Sequence, residues 1–192
     1  MRIGVAAIQG DFERHQRVLT KLNIETIPVR NPVQLRDCHA LIIPGGESTT
    51  LIKLFKANQL FNEIKKFAQK KAIMGTCAGL IVLANKIYNP PLESLQLIDI
   101  EVTRNAYGRQ VDSFVDNIRL NLYGKEVQFE GVFIRAPKIK STGQGVEPIG
   151  YLQNNVVMAE TSHILVSTFH PELTDDPRIH EYFIEKAKGI LK

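Results

Sequence analysis

The sequence predicts an α/β fold, a mostly parallel central sheet covered by helices on both faces, with antiparallel additions in the C-terminal half. Three observations predict it. Over residues 1–85, short apolar runs alternate with segments whose apolar residues recur at helical spacing. From 95 to 169 strand-like segments follow one another without a helix between them. A last helical stripe then closes the chain. Its 192 residues suffice for one well-packed domain and are short for two. No repeat, linker or shift in composition marks a boundary, so 1–192 is read as a single domain.

Residues 3–8 are continuously apolar, as in a strand buried on both faces. Residues 12–22 place Val18, Leu19 and Leu22 on one stripe and read as a helix. Strands follow at 24–29 and 40–44. Between 51 and 69, Leu51, Leu54, Phe55, Leu60, Phe61, Ile64 and Phe67 give one or two helical pieces. Residues 72–76 form the fourth strand, and Leu80, Leu83 and Ala84 after it keep helical spacing. Further strands are read at 98–103, 127–134 and 164–169. Asp176 and Pro177 signal the start of a final helix with Ile179, Tyr182, Phe183, Ala187 and Ile190 on its buried face.

Composition excludes several functions. Two cysteines, Cys38 and Cys77, lack metal-ligand spacing, so neither a disulfide framework nor a metal site is expected. The N-terminus lacks the longer apolar region and cleavage site of a signal peptide, and no apolar run approaches the ~18 residues of a membrane span. A cytoplasmic protein with no membrane partner is expected. The net charge of +4 comes with lysines spread over helix faces, such as Lys65-Lys66 and Lys70-Lys71, without interleaved aromatics. That is a solvated surface, not a nucleic-acid site, although docking to an acidic protein stays open.

A parallel sheet gathers ligands at the C-terminal ends of its strands. Three segments fall there: Gln9-Gly10-Asp11, Pro44-Gly45-Gly46-Glu47-Ser48 and Gly75-Thr76-Cys77-Ala78-Gly79. The last is G-x-C-x-G at a strand-to-helix junction, the thiol form of a nucleophile elbow. The flanking glycines permit a strained turn, and the following helix aims its free N–H groups at the sulfur, favouring thiolate. A cysteine that is merely packed is the alternative.

A cysteine nucleophile needs a base, a group to orient that base, and donors for an oxyanion. His170-Pro171-Glu172 offers the first two. Proline keeps His170 out of helix, and in an extended segment residues two apart share a face. Gly45-Gly46 leaves N–H groups accessible, which with the N–H of Ala78 can hold an oxyanion, and Ser48 or Thr49 is placed to cap the next helix. A plain tight turn and an exposed His-Glu pair are the structural alternatives.

In this order, P-G-G-E-S, G-T-C-A-G and H-P-E resemble the class I (triad) glutamine amidotransferases over the whole chain. R-N-x-x-G-R-Q at 104–110 and F-I-R-A-P at 133–137 look more closely like the glutaminase subunits of pyridoxal 5′-phosphate synthase. The resemblance implies a flavodoxin-like three-layer sandwich. It implies hydrolysis of L-glutamine to L-glutamate and ammonia without a cofactor, and delivery of the ammonia to a synthase subunit in a hetero-oligomeric complex. Cys77 is implied as nucleophile, His170 as acid and base, Glu172 as the residue orienting His170, and Gly46 and Ala78 as the oxyanion hole. The implied glutamine-binding positions are Gly46, Glu47, Ser48, Arg104, Ile134 and Arg135.

These residue types suit the substrate. A zwitterion needs donors for its carboxylate, for which Arg104 and Arg135 are candidates, and an acceptor for its ammonium, for which Glu47 is one. Arg135 can equally pair with a structural carboxylate, and Asn105, Arg109 and Gln110 can face a partner or water. A non-enzymatic flavodoxin-like module, in which Cys77 packs, is the rival from another class; a redox-sensing or peptidase-like relative is a second.

Overall fold

Along β3 (Ala40–Ile43) consecutive side chains enter opposite hydrophobic clusters, Leu41 and Ile43 one, Ala40 and Ile42 the other. A strand apolar on both sides belongs inside a covered sheet. The computed structural model, which describes residues 1–104 and 113–191, places β3 between β1 (Arg2–Ala6) and β4 (Ala72–Thr76). With β2 (Glu25–Val29) and a late strand, β12 (Ile164–Ser167), the order is β2-β1-β3-β4-β12, parallel throughout. That is the flavodoxin-like order, whose ligands bind beyond the strands' C-terminal ends.

Helices cover both faces. Those crossing on one side are α2 (Pro32–Arg36), α3 (Ser48–Ala57), α4 (Leu60–Ala68) and α5 (Ala78–Leu83), whose Leu35, Leu51, Phe55, Ile64 and Leu80 join Ile43 and Ile73. Opposite lie α1 (Phe12–Lys21) and α6 (Arg178–Ile190), where Leu19, Ile179 and Phe183 meet Ile3, Ile42 and Met74.

Antiparallel strands extend the sheet in the C-terminal half: β11 (Asn155–Glu160), β10 (Glu147–Leu152), β7 (Ser113–Leu122) and β8 (Lys125–Ile134) continue outward from β12. A smaller sheet of β5 (Ala84–Tyr88), β6 (Ile98–Thr103) and β9 (Lys138–Thr142) lies beside it. This second sheet is not foreseen in the sequence. Ala84, which continues the helical spacing of Leu80 and Leu83, instead opens β5, because the cap of α5 at Ala84 is already extended, with φ −60° and ψ 151°. Residues 51–69 divide into α3 and α4 at Gln59, whose φ of 59° breaks the helix. The strand expected to run to 169 stops at Ser167 and leads into a 3₁₀ turn, Pro171–Leu173.

Candidate active site

The C-terminal ends of β1, β3, β4 and β12 bring the three sequence segments and His170 to one edge of the sheet. Cys77 follows β4 directly with φ 49° and ψ −104°, a backbone conformation that non-glycine residues seldom hold. Its N–H donates to Ser167 O at 2.9 Å, pinning the turn to β12. Gly79 makes the turn possible: a Cβ there would fall 2.0 Å from the carbonyl oxygen of Ile43. Without a side chain, α5 rests on the backbone of β3. Cys77 thus stands at the N-terminal end of α5 and is 7% exposed.

His170 and Glu172 meet, although not by strand alternation. His170 caps the 3₁₀ turn with φ −108° and ψ 87°, non-helical as proline after it requires, and Glu172 lies inside the turn. The turn folds the carboxylate back, so His170 Nδ1 and Glu172 Oε1 lie 2.7 Å apart, with Glu172 4% exposed. The His170 N–H donates to Val132 O at 2.9 Å, which fixes the segment against β8. Burial pulls the His170 imidazole down, but its hydrogen bonds to the Cys77 side chain and to Glu172 outweigh this and push it up to about 10. Burial likewise pushes the Glu172 carboxyl up, and the facing His15 and the hydrogen bond with His170 overcome it, holding it at about 2. Base and orienting carboxylate therefore form a buried hydrogen-bonded pair, and the imidazole interacts with the Cys77 side chain on its other side.

The surrounding positions divide into two groups. Gly46 is exposed, with φ +146°, a value suited to glycine, and lies close to Gln9, whose buried Oε1 has no hydrogen-bond partner among the described residues. Ala78 opens α5, so its N–H is among those a helix leaves unpaired. The Ile134 carbonyl lies 3.8 Å from Cys77 Sγ, while its side chain and Arg135, at φ 44°, are exposed where β8 ends. Ser48 is buried and is not the cap of α3. That role falls to Glu47, whose carboxylate accepts the N–H groups of Thr49 at 2.9 Å and Thr50 at 2.7 Å. Glu47 is also paired with Arg104 Nη2 at 3.1 Å. Burial pushes the Glu47 carboxyl up, but the hydrogen bonds from Thr49 and Thr50 together outweigh it and lower the group to about 2. Asn105, Arg109 and Gln110 lie outside the described residues. Among the described residues no group of three His, Cys, Asp or Glu side chains is arranged to hold a metal ion.

Sequence reasoning missed His15. It lies on α1, fully buried, with Nε2 3.3 Å from both Glu172 Oε2 and Thr76 Oγ1, and Nδ1 3.0 Å from His180 Nε2. The available signal was a polar residue on the buried stripe of the helix, between Phe12 and Leu19.

Comparison with known proteins shows the family and the fold. The model of the SNO glutamine amidotransferase family matches residues 5–189. The pyridoxal 5′-phosphate synthase subunit PdxT of Fervidobacterium nodosum is 50% identical, with 100% of each chain covered. The protein of the same description from Thermosipho africanus is 46% identical over 98% of this chain and 100% of its own. A crystal structure of a glutamine amidotransferase superposes with a TM-score of 0.90 at 43% identity, covering 97% of this chain and 98% of that one. The structure of PurLQS from Thermotoga maritima has a TM-score of 0.70 at 15% identity, over 100% and 99% of the two chains, and shares the fold.

Proposed function

Because this chain belongs to the SNO glutamine amidotransferase family, we propose that it is the glutaminase subunit of a pyridoxal 5′-phosphate synthase, hydrolysing L-glutamine to L-glutamate and ammonia. The observation that carries this is the buried His170–Glu172 pair, 2.7 Å apart, gathered at the same sheet edge as Cys77 on its strained elbow, with His170 raised and Glu172 lowered from their ordinary values.

Cys77 attacks the side-chain amide carbon of glutamine as a thiolate. A free thiol is only a few per cent ionised at neutral pH, so the attack draws on His170 as the acceptor of the thiol proton. The negative charge that develops on the amide oxygen is received by the N–H groups of Ala78 and Gly46. His170, with Nδ1 engaged by Glu172, uses Nε2 to protonate the departing nitrogen, which leaves as ammonia. The C–N bond breaks and a γ-glutamyl thioester remains on Cys77. His170, now neutral, takes a proton from water as the water attacks the thioester carbon. The C–S bond breaks, glutamate departs, and the thiolate–imidazolium pair is restored.

The Glu47–Arg104 pair faces the zwitterionic end of the substrate. On binding, the glutamine carboxylate takes a guanidinium, Arg104 or Arg135, and its ammonium takes Glu47, so one ion pair is exchanged for two with little desolvation cost. Ser48 and the Ile134 carbonyl complete the pocket wall. Ammonia then passes to the synthase subunit, the partner in a hetero-oligomeric complex.

The test is steady-state glutamate release across a titration with the synthase subunit, then turnover of amide-labelled glutamine in excess unlabelled ammonium. Release that rises with partner, and label reaching the product undiluted, are expected. Parental protein that releases no glutamate with its partner present overturns the reading, and full isotope dilution overturns the transfer.

A further inference from the structure

The glutaminase reaction needs three side chains, yet the buried polar chain does not stop at Glu172. One carboxylate oxygen, Oε1, holds His170. The other, Oε2, is buried with no hydrogen-bond partner among the described residues and stands 3.3 Å from His15 Nε2, with both side chains fully inaccessible. His15 Nε2 is also 3.3 Å from Thr76 Oγ1, on the residue preceding the nucleophile. Behind His15, its Nδ1 lies 3.0 Å from His180 Nε2, and His180 Nδ1 has no hydrogen-bond partner among the described residues. Two histidines on α1 and α6 are therefore committed to the core behind the triad, in a cluster otherwise made of apolar side chains.

The proton positions follow from which arrangement leaves the least unpaired. With the proton of His15 on Nε2, it is donated to Thr76 Oγ1, the same ring edge lies 3.3 Å from the Glu172 carboxylate, and Nδ1 accepts the N–H of His180 Nε2. The atom left over is then the bare Nδ1 of His180, a buried acceptor. With the proton on Nδ1 instead, an imidazole lone pair faces an ionised carboxylate, and His180 carries a buried N–H with nothing to receive it. Leaving a buried donor unmet, and opposing a lone pair to a carboxylate, both cost free energy. The first arrangement wins. Burial keeps His15 and His180 below their ordinary values.

Resting on the glutaminase reading, we propose that His15, backed by His180, is a positioning residue for catalysis: its Nε2 edge, hydrogen-bonded to Thr76 on the elbow side, stands 3.3 Å from the outer oxygen of Glu172 and holds the carboxylate aimed at His170. A carboxylate held by one oxygen alone can swing about its own axis. Held at both, it fixes the imidazole, and through it the Nε2 that exchanges protons with the substrate.

The experiment uses the chain in complex with its synthase subunit. His15→Leu keeps the volume and removes the donor. It should lower kcat for glutamate release roughly three- to tenfold, the worth of one ordinary polar contact, with KM within about twofold. His15→Gln, whose Nε2 reaches about as far as that of histidine, should recover most of the loss. In a Glu172→Gln background, His15→Leu should cost no more than about twofold, because a residue acting through Glu172 has nothing left to act on. Should His15→Leu fail to fold, nitrogen-15 imidazole shifts of the parental protein decide, with a neutral, Nε2-protonated His15 expected. An Nδ1-protonated or charged His15, full activity of a folded His15→Leu variant, or equal losses in both backgrounds overturns the proposal while the glutaminase reading stands. A parental complex that releases no glutamate overturns both.

Discussion

Substituting alanine for Gly45 probes the triad through its neighbour. A Cβ at 45 would lie 2.4 Å from His170 Cε1, 3.2 Å from Nδ1 and 3.4 Å from Nε2. Carbon atoms pack at about 3.5–4.0 Å, so either ring or loop must yield by roughly 1 Å. The loop has little room to retreat: a Cβ on Gly10 would fall 1.8 Å from the Gly45 carbonyl oxygen, so that loop is already packed behind it. The ring yields instead. Its bond to Glu172 is 2.7 Å long and the carboxylate is buried and cannot follow. A displacement of about 1 Å takes that contact beyond hydrogen-bonding range. Misplacing a catalytic group by this amount costs about a hundredfold in rate. Gly45→Ala should therefore lower kcat about a hundredfold while overpacking costs about 1–3 kcal/mol of stability. Glutamate release with the synthase subunit present, beside a thermal melt, measures both. Gly189→Ala is the control: it meets open space on α6, and should keep full activity and gain about 0.5–1 kcal/mol. Parental kcat in a folded Gly45→Ala protein would refute the placement of His170 against this loop.

Gly79→Ala drives a side chain into backbone of β3 and should destabilise by more than about 3 kcal/mol, seen as a large fall in melting temperature; an unchanged melt contradicts the close approach of α5. Cys38→Ala should leave glutamate release unchanged, since Cys38 is buried away from the site, where its thiol donates to the Gln34 carbonyl at 3.1 Å. Its loss of activity would place the second thiol in the reaction. Glu172→Gln should retain part of the activity. Folding lowers the Glu172 carboxyl from 4.5 to about 2, so its stabilisation is present above the ordinary value and is lost as pH falls through the folded one. The difference in melting temperature between parent and Glu172→Gln should thus narrow from about pH 5 to about pH 2, and a gap independent of pH counts against an ionised Glu172.

The parts of the molecule legible in the sequence are those whose signal is local. β1, β3 and β4 are short and apolar on both faces, and G-x-C-x-G and H-P-E carry their turns in their own residues. β7 was not legible. Its Ile118, Leu120 and Leu122 are buried while Arg119 and Asn121 between them are exposed, and the strand is fixed by pairing along its length with β8. α2 has a capping Asn31 and Pro32 at its start but is too short to show a period. Within the site, Glu47 took the cap expected of Ser48 or Thr49 because its longer side chain reaches two N–H groups at once. His15 was hidden for a different reason: its partners Glu172 and His180 are supplied by the other end of the chain, and one polar residue on an apolar stripe names none of them.

The central claim is a covalent one, that glutamine is hydrolysed through a γ-glutamyl thioester on Cys77. Acid quenching of the complex during turnover of carbon-labelled glutamine, followed by mass analysis of the peptide containing Cys77, tests it most directly. One glutamyl group on Cys77 is expected during turnover, disappearing when substrate is exhausted, with no label and no glutamate release in Cys77→Ala. Glutamate released at the parental rate by the Cys77→Ala variant would contradict the account.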